Sequence, residues 1–220
     1  MTVSPPNQPD LAFALDHLVL AADSLASGNE YLLQRFGVET QPGGQHLGYG
    51  THNSLLQVGG GTYLEVIAPD PSQPAPDQPR PFGLDSPGLR ERIAVRPRLI
   101  HYVMRTAQIE ALAALIGYDP GPIKEMTRGD LTWQLALRPM AGRPTDMLFP
   151  SLINWGNHPS PGRTLPSRGA VMTSLHLRGP HDDCARLGVL TKDRRIQVSE
   201  HASAMIAAEF QTPKGWTILD

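Results

Sequence analysis

Apolar residues in this chain fall into short runs whose internal spacing predicts the elements. The run Leu15-Asp16-His17-Leu18-Val19-Leu20 reads as a buried strand with one imidazole among aliphatic side chains. Period-two alternation puts Leu15, His17 and Val19 on one face and Asp16, Leu18 and Leu20 on the other. A helix follows, with Leu25, Leu32, Leu33 and Phe36 at helical spacing, Asp23 or Ser24 as its cap and Gly37 at its left-handed end. Residues 41–50 are polar and glycine-rich and read as a loop leading into Thr51-His52-Asn53. Residues 54–58 and 63–68 are two further strands, and Gly59-Gly60-Gly61 between them predicts a hairpin turn. No helix follows those glycines, so they are not a phosphate-binding loop. In the second of the two strands Tyr63, Glu65 and Ile67 share a face. The unit is a strand, a helix and then an antiparallel meander.

Proline is frequent between Pro69 and Pro97 and apolar periodicity disappears, which predicts a semi-rigid connection long enough to cross the molecule. The pattern then restarts. Leu99-Ile100-His101-Tyr102-Val103-Met104 is a strand, and Thr106 can cap a helix through Ile109, Leu112, Leu115 and Ile116, closed by Gly117. Strands are expected around Asp130 to Leu137 and Met147 to Ile153. Overlaying the halves pairs His17 with His101, an offset of 101 − 17 = 84, and Glu65 with Ser151, an offset of 151 − 65 = 86. Near-equal offsets over strand, helix and closing strand are what an internal duplication leaves. A shorter third copy ends the chain. Ser174-Leu175-His176-Leu177 resembles a first strand, residues 182–189 a weak helix, and residues 207–210 and 216–219 a hairpin across Pro213-Lys214-Gly215.

Bulk properties narrow the function classes. Hydrophobic content of 40% with 18% charged residues suits an ordinary globular chain, and 22 prolines with 21 glycines mean many turns. A net charge of −2 without a basic cluster argues against a nucleic-acid partner. The single cysteine, Cys184, excludes an internal disulfide and fits a reducing, cytoplasmic setting. Its neighbours Asp182 and Asp183 disfavour a thiolate, so it is not read as a nucleophile. Residues 1–10 look like a frayed arm without the features of a secretion signal, and no apolar run is long enough to span a membrane. A buried Glu65 in an apolar strand needs a cation or a dense set of donors.

Several motifs carry a family resemblance. Asp16-His17-Leu18-Val19, Gly43-Gly44-Gln45-His46, Gly50-Thr51-His52-Asn53, Tyr63-Leu64-Glu65-Val66-Ile67-Ala68-Pro69 and Ile153-Asn154-Trp155-Gly156 together resemble the glyoxalase-like branch of the vicinal oxygen chelate superfamily. That superfamily includes glyoxalases, extradiol dioxygenases and bleomycin-resistance proteins. The resemblance implies an α+β fold of paired βαβββ modules, whose sheets form a curled mixed sheet around a cleft. Residues 11–220 then form one domain: module 1 over about 13–69, the connection over 70–97, module 2 over about 98–156 and a C-terminal partial third module over about 170–220.

The resemblance also implies a site. Metal-binding members draw ligands from the first and last strands of each module, positions held here by His17, Glu65, His101 and Ser151. Two imidazoles and a carboxylate suit a divalent Fe, Mn, Ni or Zn ion with open positions, whereas Ser151 is a poor ligand. The implied activity is that of a metal-dependent lyase, isomerase or dioxygenase on a small molecule with vicinal oxygens. Glu65 is a ligand and catalytic group in that reading, and His52 is the proton carrier. Asn53, Trp133 and Trp155 contact the substrate, while His46 reads as turn chemistry. Arg128, Arg138 and Arg143 are candidates for holding a carboxylate. The alternative is a metal-free protein that sequesters a small amphipathic molecule, with His17 and Glu65 bonded to each other. The expected partner is a small molecule, with no nucleic acid and no membrane, and a homodimer stays open.

Overall fold

A computed structural model describes residues 11–128, 131–138 and 144–220. The arm at 1–10, Asp130 and Arg143 lie outside the described residues, as does the Arg128 side chain. The first half runs β1 (Phe13–Ala21), α1 (Leu25–Phe36), β2 (Gln41–His46), β3 (Thr51–Gln57) and β4 (Tyr63–Pro69). The second repeats that order as β5 (Arg98–Thr106), α3 (Ile109–Ile116), β6 (Ile123–Arg128), β7 (Leu131–Ala136) and β8 (Ser151–Asn154). All eight strands join one curled sheet in the order β2-β3-β4-β1-β5-β8-β7-β6. Its left half mirrors its right half, as a two-fold relation between the modules requires.

The register across the seam makes the relation explicit. In the antiparallel β1–β5 pair His17 lies opposite Val103, Val19 opposite His101 and Leu18 opposite Tyr102. An offset of 84 carries each member of those pairs onto the corresponding member of a partner pair, so the axis passes by Leu18 and Tyr102. Parallel β1–β4 pairing sets Val19 beside Glu65, and parallel β5–β8 pairing sets Val103 beside Ser151. Glu65 and Ser151 therefore occupy matching places.

Local chemistry fixes the ends of these elements. Ser24 caps α1 in a reciprocal pair with Ser27. The turn between β3 and β4 runs through Gly59, Gly60 and Gly61 at φ of 79°, 60° and 70°, a left-handed path closed to most side chains. The expected loop over 41–50 is instead largely a strand. β2 pairs with β3 through Gln45–His52 and His46–Thr51, with a bulge between Pro42 and Gln45. Polar composition hides this edge strand from a hydrophobicity reading, since neither of its faces is fully buried.

Two cores sit on the two faces of the large sheet. On the convex face Leu18, Leu20, Leu64, Val66, Tyr102 and Met104 pack with α1, α3 and a second sheet. That sheet contains β9 (Val171–Gly179), β10 (Ile196–Glu200), β11 (Met205–Thr212) and β12 (Gly215–Leu219), ordered β10-β9-β11-β12. Its inner residues Leu175, Leu177, Ala208 and Phe210 are fully buried, and Phe210 meets Phe36 of α1 at a ring separation of 4.9 Å. The C-terminal segment thus covers the convex side of the large sheet.

The concave face carries a smaller core. Here the connection forms a helix that the sequence does not predict, α2 (Pro87–Val95), with a weak apolar stripe of Leu89 and Ile93. With Leu84 these residues pack on Val19, Ala21, Ile67 and Ile100 and fill one end of the cleft. Asp70 anchors the start of the connection. Hydrogen bonds from Gln73, Ser72 and Gln45 hold its carboxyl well below the usual carboxylate range, against the opposing effect of burial. Among the described residues no helix is long and apolar enough to cross a membrane.

Candidate functional site

Strand alternation decides which side chains reach the cleft. From β1, β3, β4, β5, β7 and β8 respectively, the concave face receives His17, Asn53, Glu65, Val103, Trp133 and Ile153. They line a cavity of about 590 Å³ closed by Tyr63, Leu55, Leu135, Trp155 and Phe82. That volume suits a small organic molecule. Trp133 and Trp155 lie 5.3 Å apart, ring to ring, and form an aromatic wall; both also pack against the concave core.

The alternation expected for β1 fails at one point. A bulge between Leu15 and His17 turns Leu15 into the convex core beside Leu18. Asp16, fully buried, instead serves the site: its Oδ1 lies 2.8 Å from His17 Nδ1, and Trp155 Nε1–H donates to its Oδ2 at 3.1 Å. An imidazole held by a carboxylate at Nδ1 presents Nε2 to the cavity. That nitrogen lies 3.6 Å from Glu65 Oε2, and the ring stacks on Tyr63 at 4.5 Å.

Glu65 is set by a chain of hydrogen bonds that fixes each amide and ring orientation. Gly44 N–H donates to Asn53 Oδ1 at 2.8 Å, so Asn53 Nδ2 faces the other way. It donates to Glu65 Oε1 at 2.6 Å and lies 3.2 Å from His46 Nε2, which accepts. His46 Nδ1–H then donates to Thr51 Oγ1 at 2.9 Å. The approach of β2 depends on Gly43, where an added Cβ would stand 2.0 Å from Asn53 Oδ1. Glu65 is 6% exposed, and among the described residues its Oε2 makes no hydrogen bond. His46, read from the sequence as turn chemistry, is therefore part of the site. Pairing of β2 with β3 brings it there, and only the bulged register reveals that.

Two expected members stand elsewhere. His52 alternates with Asn53 and so points away from the cavity, its Nδ1 3.8 Å from Asp70 Oδ1. It does not line the cavity that holds Glu65. His101 faces the concave side but does not line the cavity. Its Nε2 lies 3.0 Å from Ser151 Oγ and accepts Ser151 N–H at 3.1 Å, while the Phe82 ring covers it at 5.1 Å. Arg138 is taken up by Asp146 at 3.4 Å, and Cys184 is buried with its thiol near the Gly179 and Ser199 carbonyls.

These contacts test the fit of a divalent ion. His17 Nε2 and Glu65 Oε2 converge, each braced from behind by Asp16 or Asn53 as metal ligands commonly are. The third expected ligand is occupied by Ser151, and among the described residues no three of His, Cys, Asp and Glu gather as a ligand set. A three-residue site of His17, Glu65 and His101 does not fit this arrangement.

Comparison with known proteins agrees with the architecture. The profile of a family described as glyoxalase-like domain matches residues 15–188. The chain belongs to that family. This glyoxalase-like protein is thereby a member of the vicinal oxygen chelate superfamily. Among solved structures, a hypothetical protein from Staphylococcus aureus aligns at a TM-score of 0.54 with 15% identity, over 88% of either chain, and has the same fold. A Streptomyces coelicolor methylmalonyl-CoA epimerase in complex with 2-nitronate-propionyl-CoA aligns at a TM-score of 0.43 with 17% identity, over 68% of this chain and 100% of its own. A hypothetical protein from Bacillus halodurans C-125 aligns at 0.43 with 11% identity, over 67% of this chain and 97% of its own. No curated protein matches the glyoxalase-like protein in sequence.

The buried His101–Ser151 pair has a measurable consequence. Burial, aided by the charge of His17 and opposed by the Met147 backbone, pushes His101 down from 6.5 to about 3. Between those values the unfolded chain binds the extra proton, so stability rises with pH across the window and is lost as pH falls from 6.5 toward 3. The slope is bounded at about 1.4 kcal/mol per pH unit. Urea unfolding between pH 7 and 4.5 is expected to show this slope in the parent and a flatter one in His101→Gln. Equal slopes would refute a neutral, buried His101.

Proposed function

We propose that this protein is a small-molecule enzyme of lyase or isomerase type, in which Glu65 moves a proton on a substrate bearing adjacent oxygens. One observation carries the reading: a buried carboxylate lies on the floor of an apolar cavity with Oε2 open to a ligand and 3.6 Å from an imidazole. Leaving a carboxylate in such a place costs stability unless its charge is used. In this reading Glu65 Oε2 takes a proton from the carbon beside a substrate carbonyl. His17, with Nδ1–H on Asp16 and a second proton on Nε2, donates the latter to the oxygen on which negative charge develops. Asn53 and His46 keep the carboxylate aimed, and Trp133 with Trp155 packs the apolar part of the substrate.

Two further readings have support. The convergence of His17 and Glu65 supports a divalent ion completed by substrate or water oxygens, as the family resemblance implies, with His101 excluded unless it leaves Ser151. The aromatic and aliphatic lining supports simple sequestration of an amphipathic molecule. One experiment separates the three. Purified chain is analysed for metals, and a panel of small 2-oxo and 2-hydroxy acids and esters is followed by proton NMR in deuterated buffer. Exchange of the carbon-bound proton with less than 0.1 ion per chain, on the order of contamination, supports the acid–base reading. About one ion per chain supports the metal reading. Saturable binding without exchange supports sequestration and overturns the enzyme.

A further inference from the structure

A second cavity of about 580 Å³ lies behind Trp155 and plays no part in the chemistry above. It shares Ile153 and Trp155 with the first cavity, but its other walls are Arg105, Arg163, Ser160 and the turn 156–159. Three arginines surround the glycine turn at 59–61, and they differ in how they are neutralised. Arg195 is fully engaged, with Nε and Nη2 on Asp193 at 2.9 and 2.7 Å and Nη1 on Thr62. Arg105 Nη1 donates to the Leu15 and Gly61 carbonyls at 3.2 and 2.9 Å. Its nearest acid is Asp16 Oδ2 at 3.8 Å, an oxygen that already accepts from Trp155.

Arg163 is exposed, and among the described residues its guanidinium has neither an acid partner nor a hydrogen bond. Arg163 Nε and Arg105 Nη2 stand 3.6 and 3.7 Å from the Cβ position of Gly61, so at most about 7 Å separates them. One oxyanion spans such a gap by accepting from both. Burial lowers Arg105 from its ordinary value; Asp16 and Asp193 oppose this, and the Arg163 and Arg195 charges add to it. Ser160 adds an independent sign of a ligand. It is 3% exposed and lines the same cavity, and its hydroxyl, itself closed to solvent, has no hydrogen-bond partner among the described residues, so turning it toward the cavity breaks no bond. Such a group is costly unless something completes it.

We infer that Arg105, Arg163 and Ser160 form a binding site for a small oxyanion, a carboxylate or phosphate group, separate from the Glu65 cavity. The paired guanidiniums donate to the negative oxygens, and the Ser160 hydroxyl, turned toward the cavity, donates to one of them. The motif Ile153-Asn154-Trp155-Gly156 is then shared by two sites. Its first and third residues wall both cavities, while the turn that follows frames the anion.

Calorimetric titration and thermal unfolding of the full chain test this with sodium phosphate, sodium acetate and, at matched ionic strength, sodium chloride. Expected is saturable binding of one phosphate or acetate per chain with a rise in Tm that chloride does not reproduce. Phosphate alone binding assigns a phosphate ligand, and acetate alone assigns a carboxylate ligand. Arg163→Gln is expected to weaken binding at least 10-fold with an unchanged Tm in chloride, because that side chain holds nothing else in place. Arg163→Lys should retain part of the binding, and Ser160→Ala should weaken it several-fold. Equal responses to all three salts, or undiminished binding in both Arg163→Gln and Ser160→Ala, would overturn the site.

Discussion

Glu65→Gln is expected to cut the rate of substrate proton exchange by at least about 100-fold, the lower end of what a positioned general base contributes. The amide keeps the shape of the carboxylate and can still meet Asn53 after an amide flip, so ligand binding should change only a few-fold. A fall in kcat with little change in KM is the signature of a group that acts in the transition state. Loss of binding together with loss of about one bound ion would shift the assignment to a metal centre. An unchanged rate would remove Glu65 from the chemistry altogether. The prediction rests on placement: Glu65 is buried with its open Oε2 facing the cavity, where it meets a bound substrate instead of bulk water.

The second large effect is on stability. Phe210→Ala is expected to cost about 3–5 kcal/mol, the usual range for emptying a buried aromatic site. Its ring is fully buried in the core between the sheets, against Phe36 of α1 at 4.9 Å, and neither side can collapse without moving a sheet. A loss of that size is a large part of the stability of an ordinary domain. Trp216, on the edge strand of the same sheet, is 70% exposed, and its replacement by Ala should stay within about 0.5 kcal/mol. Urea unfolding followed by circular dichroism measures both. A cost below about 1 kcal/mol for Phe210→Ala would mean that the C-terminal sheet is separable from the modules.

Much of this architecture is legible in the letters, and the exceptions share a cause. A repeated unit of strand, helix and closing strands follows from periodicity because those strands carry their own apolar pattern, and the duplication supplies a second reading of the same signal; the full βαβββ count came from the resemblance, since β2 and β6 carry no such pattern. The hairpin glycines and the Ser24 cap are local chemistry and need no tertiary context. Three features resist. The strand β2 is polar and is recognised only through its partner. Helix α2 has too weak a stripe to stand out from a proline-rich connection, and it exists because Leu89 and Ile93 find the concave sheet. The bulge at Asp16 shifts one residue between faces, and no pattern of apolar letters encodes that shift.

The site divides along the same line. His17 and Glu65 face each other because parallel neighbours in register share a face, His17 beside Tyr63 and Val19 beside Glu65. His52 and Asn53 are adjacent in sequence and opposite in space, and alternation from Glu65 across β3 separates them. His101 occupies the position duplication assigns to it, yet Ser151 N–H and Oγ engage its Nε2, while its Nδ1 is buried without a hydrogen-bond partner among the described residues.

By itself the sequence determined the repeated unit, because periodicity and spacing are properties of the chain alone, while the family and the expected meeting of His17 with Glu65 came from the motifs that carry the resemblance. Only the tertiary structure decided which polar groups meet. Hydrogen bonds and ion pairs reach a few ångströms, and a one-residue bulge or a neighbouring hydroxyl is enough to redirect them.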